Sequence, residues 1–275
     1  MIAGIVLLAG GAAAGVFGSL LGLGGGILIV PLLTLGFGLP LREAVAVSLV
    51  SVIVTSSASA GVYLEKHTAN LRLGMVLELF SASGALVGGL IAFLLSEQVL
   101  AGLFAALLIW VALSMVRRAE PAPATDAPAA ADPLADASAA PTFTDSLAGP
   151  GYRVHALPLG MGGSVVAGLV SALLGVGGGI VKVPTMHLLM GVPLKVATAT
   201  SNMMIGITAT SSAVIYLLRG QIDPYIAGPT ALGVFVGAMA GTRIAHRIDT
   251  RILRWLFVVV LLYTAVQMGQ KALGL

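Results

Sequence analysis

One stretch of this sequence occurs twice, first as Ala14-Gly-Val-Phe-Gly-Ser-Leu-Leu-Gly-Leu-Gly-Gly-Gly-Ile-Leu-Ile-Val-Pro31. It returns 153 residues later as Ala167-Gly-Leu-Val-Ser-Ala-Leu-Leu-Gly-Val-Gly-Gly-Gly-Ile-Val-Lys-Val-Pro184. The same offset continues without a gap through later pairs: Pro40 and Pro193, Ser48 and Ser201, Tyr63 and Tyr216, Gly84 and Gly237, and Phe104 and Phe257. Self-similarity at a fixed spacing is the signature of a duplicated structural unit. The chain is therefore two copies of one unit.

The composition predicts an all-α polytopic membrane protein. The 275 residues are 58% hydrophobic and only 9% charged, whereas soluble domains are roughly 25% charged. Apolar runs such as Leu73–Leu95, interrupted only by Glu78, reach the ~20 residues that cross a bilayer as a helix. Helices are expected because lipid forces each segment to satisfy its own backbone hydrogen bonds.

Several chemistries are excluded by what the sequence lacks. Cysteine is absent, and four scattered histidines (His67, His155, His187 and His246) have no metal-ligand spacing, so we expect no metal and no cofactor. No Gly-Lys-Ser/Thr follows the glycines, which argues against a nucleotide P-loop. No basic recognition fold for nucleic acid is visible, and no nucleophile–base pair lies on facing helices, so we predict that the protein is not an enzyme.

The chain divides into a first membrane repeat (1–116), an Ala-, Pro- and Asp-rich segment (117–152) and a second membrane repeat (153–275). The middle segment cannot bury a core and is predicted to be a flexible linker. Each repeat is predicted to contain a helix that ends at the glycines, a short apolar stretch and three full helices. The boundaries are 2–21, 27–38, 41–64, 73–95 and 98–116, then 156–174, 180–191, 194–218, 225–246 and 252–273.

The basic residues indicate how the repeats are oriented. The short stretches are too short to span alone, and whether they are re-entrant or crossing stays open. If each repeat makes an odd number of passes, ten bases lie on one side and three (Arg42, Arg219 and Lys271) on the other. An even number gives seven against six. The positive-inside rule favours the first split, which predicts inverted repeats in a bacterial inner membrane, a cytoplasmic linker and termini outside.

The glycine clusters are the strongest candidates for a binding site, formed by Gly22, Gly24, Gly25 and Gly26 and by Gly175, Gly177, Gly178 and Gly179. Glycine costs a helix about 1 kcal/mol relative to alanine, so each cluster should end its helix. The helix that follows then presents free N–H groups and a positive dipole end, which favour an anion. Paired broken helices near the midplane are how secondary transporters hold substrate. The alternative is that the glycines only permit tight turns or packing.

Hydroxyl and amide side chains follow each glycine cluster along the next helix. Ser48, Ser201 and Asn202 lie nearest to the breaks in the repeat and are candidate substrate ligands. Thr55 and Thr208 also correspond, seven residues further on the same helix faces. Such residues serve equally well to hold helices together.

Two charged residues lie at membrane depth, where ionisable groups are functional candidates by default. Lys182 replaces Ile29 of the first copy, three residues after the last glycine, and could attract an anion; alternatively it snorkels to an interface. Glu78, matched by Ala231, is a candidate for a coupling proton, or it lies at the headgroup boundary. Gly84 and Gly88 in the first half, and Gly233, Gly237 and Gly241 in the second, form small-residue stripes that predict close helix packing.

The doubled Ala-Gly-x-x-x-x-Leu-Leu-Gly-x-Gly-Gly-Gly-x-x-x-Val-Pro motif resembles the sulfite exporter TauE/SafE family of membrane permeases, across both halves. The resemblance implies transport of small anions such as sulfite, thiosulfate or organosulfonates, coupled to a proton gradient, with the site around the glycines and the helices that follow. The long acidic linker departs from the family. We therefore predict a secondary transporter, an exporter acting as a monomer or homodimer. The alternatives are a passive anion channel or a permease for another small organic anion.

Overall fold

The computed structural model describes residues 2–20, 26–65, 68–117, 143–149, 151–244 and 250–274. Nearly all of these residues are helical, which confirms the all-α prediction. Within these ranges seven helices are long and apolar enough to cross a membrane, while the segments Gly4–Gly18 and Gly26–Gly36 are apolar but shorter. Gly22, Gly24 and Gly25 of the first glycine cluster lie outside the described residues, as does most of the predicted linker.

The two halves contain the same elements in the same order, as the repeat predicted. The first half consists of α1 (Ile2–Leu20), α2 (Gly26–Pro31) with a π-helical continuation (Leu32–Gly36), α3 (Leu41–Glu65), α4 (Leu71–Leu94) and α5 (Glu97–Arg117). A short helix α6 (Phe143–Leu147) precedes the second half. That half consists of α7 (Leu157–Leu174), α8 (Gly179–Pro184) with its π-helical continuation (Thr185–Leu189), α9 (Leu194–Leu218), α10 (Pro224–Ile244) and α11 (Thr250–Leu273).

The two halves exchange their first helices. Helix α1 packs along α10, and α7 packs in the same way along α4, which is the equivalent of α10. Glycines allow the backbones to approach closely, as the small-residue stripes predicted. A Cβ added to Gly237 would lie 2.0 Å from the Ala12 carbonyl oxygen, and one added to Gly84 would lie 2.3 Å from the Val165 carbonyl oxygen. The halves therefore form one intertwined bundle.

The centre of the bundle is built by α3 and α9, which pack against each other and carry the short helices α2 and α8 respectively. Helices α5 and α11 pair at the periphery. Large apolar side chains on the outer helices are exposed, including Leu79, Leu90, Trp110 and Val259. Contiguous exposed apolar surface of this kind marks contact with lipid or another apolar partner, as expected of a multi-pass membrane protein.

The last residues of the predicted linker pack against the start of α4. The Asn70 side-chain amide donates to the Leu147 carbonyl at 2.8 Å and to the Tyr152 hydroxyl at 2.7 Å. Its Oδ1 accepts from the Leu73 N–H at 3.0 Å and so caps α4. Leu147 and Tyr152 are buried in an apolar cluster with Leu77 and Met204. This cluster closes one end of the bundle beside α4 and α9.

Candidate functional site

The second glycine break has a backbone conformation that favours glycine. Helix α7 ends at Leu174, and Gly175, Gly177 and Gly178 have φ values of +69°, +80° and +72°. Residues with a Cβ rarely adopt this left-handed region. Space is also lacking, since a Cβ on Gly177 would lie 2.7 Å from Ile205 Cγ2 and one on Gly178 would lie 2.7 Å from the Ala167 carbonyl oxygen. The break is therefore a tight loop enclosed by α7 and α9.

The break of one half meets the break of the other. A Cβ added to Gly26 would lie 2.7 Å from the Gly175 carbonyl oxygen. The Ser48 hydroxyl can donate to that carbonyl at 2.7 Å and to the Gly26 carbonyl at 3.2 Å. Ser48 on α3 therefore joins α2 of the first half to the end of α7 in the second half. The glycine breaks of the two copies, which the 153-residue offset separates along the chain, are therefore neighbours in the fold.

Two buried hydroxyls beside the second break have no hydrogen-bond partner in the described part of the chain. They belong to Ser171 and Ser201, whose exposed fractions are 0% and 1%. A Cβ on Gly179 would lie 3.5 Å from Ser201 Oγ, and one on Gly178 would lie 3.4 Å from Ser171 Cβ. An unpartnered buried hydroxyl costs about 1–3 kcal/mol. Both flank one glycine loop, so a ligand with acceptor oxygens bound there would satisfy both hydroxyls.

The first turn of α8 faces the same loop. The N–H groups of Val181 and Lys182 both donate to the Gly178 carbonyl at 3.1 Å, so the helix begins directly at the glycines. The first N–H groups of a helix have no intrahelical acceptor. Helix α8 and its π-helical continuation form one helical run from Gly179 to Leu189. Its N-terminal end therefore presents donors between Ser171 and Ser201.

A buried ion pair lies next to this loop. Lys182 Nζ lies 2.9 Å from Glu78 Oε2 and donates to Thr208 Oγ1 at 2.5 Å. The Thr208 hydroxyl lies 2.6 Å from Glu78 Oε1. Lys182 is 1% exposed and Glu78 is 5% exposed. The lysine therefore does not reach an interface, and the two charges predicted separately from the sequence form one cluster with Thr208.

The ion pair and the glycine loop are adjacent on α9. Ile205 lies against Gly177 and Gly179, and Thr208 follows Ile205 by about one helical turn. Lys182 Nζ, in contact with Thr208, therefore lies about one helical turn of α9 from Ile205 and the loop that Ile205 contacts.

The remaining sequence candidate, Asn202, is placed differently. Its carbonyl accepts a hydrogen bond from Ser56 of α3 at 2.5 Å, which connects α3 to α9. Two residues of the site were not among the candidate ligands chosen from the sequence. Thr208 was visible only through its match to Thr55, and Ser171 only as the hydroxyl four residues before Gly175, where the first copy has Gly18.

These features define a class: a multi-pass helical membrane protein with paired broken helices and a buried polar site at its centre, as in membrane transporters. The profile of the family described as "Sulfite exporter TauE/SafE" matches residues 7–268. The chain belongs to this family, as its doubled motif indicated. No solved structure matches the chain.

Curated relatives carry transporter names. The chain is 27% identical over 271 residues to "Probable membrane transporter protein YunE" of Bacillus subtilis, covering 96% of each protein. It is 28% identical to "Probable membrane transporter protein MamO" of Paramagnetospirillum magneticum, but spans only 44% of that protein. A segment of 87 residues, 32% of the chain, is 30% identical to "Sulfite exporter TauE/SafE family protein 2" of Arabidopsis thaliana. The fold and these relatives agree on membrane transport.

Proposed function

We propose that the protein is a secondary transporter that exports small sulfur-containing anions, such as sulfite, thiosulfate or organosulfonates, across a bacterial inner membrane. The observation that carries the proposal is the pair of unpartnered buried hydroxyls, Ser171 and Ser201, on either side of the start of α8. Hydroxyls and helix N–H groups are donors, and an oxyanion offers several acceptor oxygens in a small volume. The family name supports the choice of sulfur oxyanions.

The charges around the site fit an anion. Lys182 follows Gly179 by three residues and supplies a cation in a buried position, where electrostatic attraction is strong. Glu78 is the candidate for a coupling proton, since it is the carboxyl group in contact with that cation. Proton coupling would let the pH gradient across the membrane drive an anion outward or inward. We propose that the substrate-binding residues are those of the glycine loop together with Ser171, Ser201 and Lys182, whereas the contacts of Ser48 and Asn202 favour a structural role for both.

We also propose that the repeats are inverted, and the helix contacts support this orientation. The starts of α4 and α9 lie together, because the Asn70 N–H donates to Thr200 Oγ1 at 2.9 Å. The end of α4 lies beside the start of α3, because Arg42 Nε donates to the Ala92 carbonyl at 3.2 Å. Helices α3 and α9, which are equivalent in the repeat, therefore run in opposite directions. With the basic residues inside, the linker is cytoplasmic and the termini are outside.

The test is flux in proteoliposomes with a panel of sulfite, sulfate, thiosulfate and organosulfonates, measured with and without a pH gradient. We expect saturable flux of at least one sulfur oxyanion that increases with the gradient. Saturable flux that is the same with and without the pH gradient would favour the passive channel. Flux of carboxylates alone would favour a permease for another organic anion. Absence of saturable flux for the whole panel contradicts the anion-transport proposal.

A further inference from the structure

We propose that the Glu78 carboxylate occupies, in the substrate-free protein, the position that the transported anion takes beside Lys182 and Thr208, so that the anion can bind only when Glu78 leaves with a proton. This inference rests on the proposed anion transport and specifies how that site is coupled. It makes Thr208 a further residue of the site. It also gives Lys182 two alternating partners rather than one fixed partner.

The contacts of Glu78 are those that an oxyanion would need. One carboxylate oxygen accepts from Lys182 Nζ at 2.9 Å and the other from Thr208 Oγ1 at 2.6 Å. A carboxylate and a sulfonate or sulfite group both present oxygens on a small anionic head, so the same two donors suit each of them. The Lys182–Thr208 pair lies on the same face of α9 as Ser201, seven residues earlier, whose hydroxyl lacks a partner among the described residues. An anion that accepts from these two donors therefore competes with Glu78 for Lys182.

Competition of this kind moves one proton with each monovalent anion. Removing the anionic carboxylate from Lys182 without neutralising it would leave a second unpaired charge buried, which is costly. A proton from water converts the Glu78 carboxylate to the neutral acid, and the incoming anion restores the charge balance of the lysine. No covalent bond forms or breaks apart from this O–H bond. The bound state then carries the same net charge as the empty state.

Lys182 is the cation that faces Glu78 among the described residues. Helix α4 packs against α6, α7 and α9. Helix α7 has no ionisable side chain, and α9 carries only Lys195 in its first turn and Tyr216 near its end. Helix α6 contacts α4 near Arg72, about two turns before Glu78. Whether Glu78 binds a proton therefore depends on its contact with Lys182.

The other half of the protein shows that the ion pair is not needed for the fold. The repeat places Ile29 at the position of Lys182, Ala231 at that of Glu78 and Thr55 at that of Thr208. Ile29 is fully buried and Ala231 nearly so. The same helix arrangement is thus packed in one half without charge. A purely structural ion pair would have no reason to appear in one copy alone, whereas one coupling site per transporter needs only one.

The test uses proteoliposomes with an internal pH dye and a membrane potential set by a potassium gradient and valinomycin. The probes are methanesulfonate and thiosulfate, anions of strong acids whose charge stays constant near neutral pH. In the wild-type protein, methanesulfonate entry should carry protons and should be insensitive to the membrane potential. In Glu78→Gln, we expect net methanesulfonate entry to persist without proton movement, with a rate that now depends on the potential. Proton-coupled accumulation by Glu78→Gln at the wild-type level would overturn the inference.

A second variant covers the case in which Glu78→Gln does not fold. Glu78→Ala combined with Lys182→Ile removes both charges and installs the residues of the first half. We expect this double variant to fold, to lose proton-coupled accumulation and to raise the KM for the anion by about tenfold or more, since a charged hydrogen bond to the substrate is lost. Wild-type coupling in the double variant would overturn the inference as well.

Substitutions of Thr208 test the inference independently of the two charged residues. Thr208→Val removes the hydroxyl and should raise the KM, whereas Thr208→Ser, which keeps the hydroxyl, should raise it less. Equal transport by Thr208→Val and the wild type would contradict a role for this hydroxyl. Flux measurements on the wild-type protein distinguish failure of the anion-transport proposal from failure of the Glu78 inference. Absence of flux for every anion contradicts anion transport itself, while flux without proton movement contradicts only the exchange at Glu78.

Discussion

The Ser48 hydroxyl lies 2.7 Å from the Gly175 carbonyl oxygen, so a side chain of the first repeat closes the glycine break of the second. It also contacts the Gly26 carbonyl of its own repeat at 3.2 Å. The equivalent residue, Ser201, has no hydrogen-bond partner within the described ranges. Two residues in matching positions therefore differ in role: Ser48 holds the two breaks together, and Ser201 keeps a free donor at the site.

The two serines can be separated by alanine substitution. Ser48→Ala removes hydrogen bonds to two buried carbonyls and should destabilise the protein by about 1 kcal/mol. Ser201→Ala removes no protein–protein hydrogen bond, so its thermal stability should equal or exceed that of the wild type while its KM for the anion rises. Thermal unfolding in detergent and proteoliposome flux measure the two effects. A loss of stability in Ser201→Ala as large as in Ser48→Ala would contradict its assignment as a substrate donor.

The glycine loop should not tolerate a methyl group at Gly178. Gly178→Ala forces an alanine into the left-handed region, which costs about 1–2 kcal/mol, and brings its Cβ to 2.7 Å from the Ala167 carbonyl oxygen. We expect transport to be abolished. The matched control is Gly162→Ala on α7, where a Cβ would meet nothing within 4 Å and alanine favours the helix by up to about 1 kcal/mol. Normal flux through Gly178→Ala would show that the loop geometry is not required.

Close packing between α1 and α10 should be equally sensitive. Gly237→Ala places a Cβ 2.0 Å from the Ala12 carbonyl oxygen, so the helices must separate, at a cost typical of overpacking, about 1–3 kcal/mol. Gly228→Ala on the same helix is the control, because a Cβ there has open space. Thermal unfolding monitored by size-exclusion chromatography compares them. The packing assignment is wrong if both variants unfold at the same temperature.

The inverted orientation can be tested by chemical labelling, since the chain has no cysteine of its own. Thr68 and Gln221 are equivalent positions, 153 residues apart, in the loops that follow α3 and α9. In inverted repeats, Thr68→Cys should react with a membrane-impermeant maleimide from the cytoplasmic side and Gln221→Cys from the outside. Right-side-out and inside-out vesicles provide the comparison. Labelling of both cysteines from the same side would establish parallel repeats instead.

The sequence by itself determined the helical class, the duplication and the positions of nearly all the helices. These features depend on local physics. Hydropathy fixes which segments can enter lipid, and glycine content fixes where a helix must stop. The predicted helix start near Ile180 is confirmed, since α8 begins at Gly179. The close packing at Gly84 and Gly237 was likewise visible as spacing along one helix face.

Only the tertiary structure decided which of the polar residues act together. Glu78 and Lys182 are 104 residues apart, and Ser48 and Gly175 are 127 residues apart. Such pairs form because each half places its first helix on the other half, an exchange that local patterns do not encode. Packing also gives similar buried serines different hydrogen bonds. The Ser48 hydroxyl contacts two carbonyl oxygens, whereas the hydroxyls of Ser171 and Ser201 have no hydrogen-bond partner in the described residues. The repeat thus identifies equivalent positions in the sequence, and the packing of the two copies gives the residues at those positions different contacts.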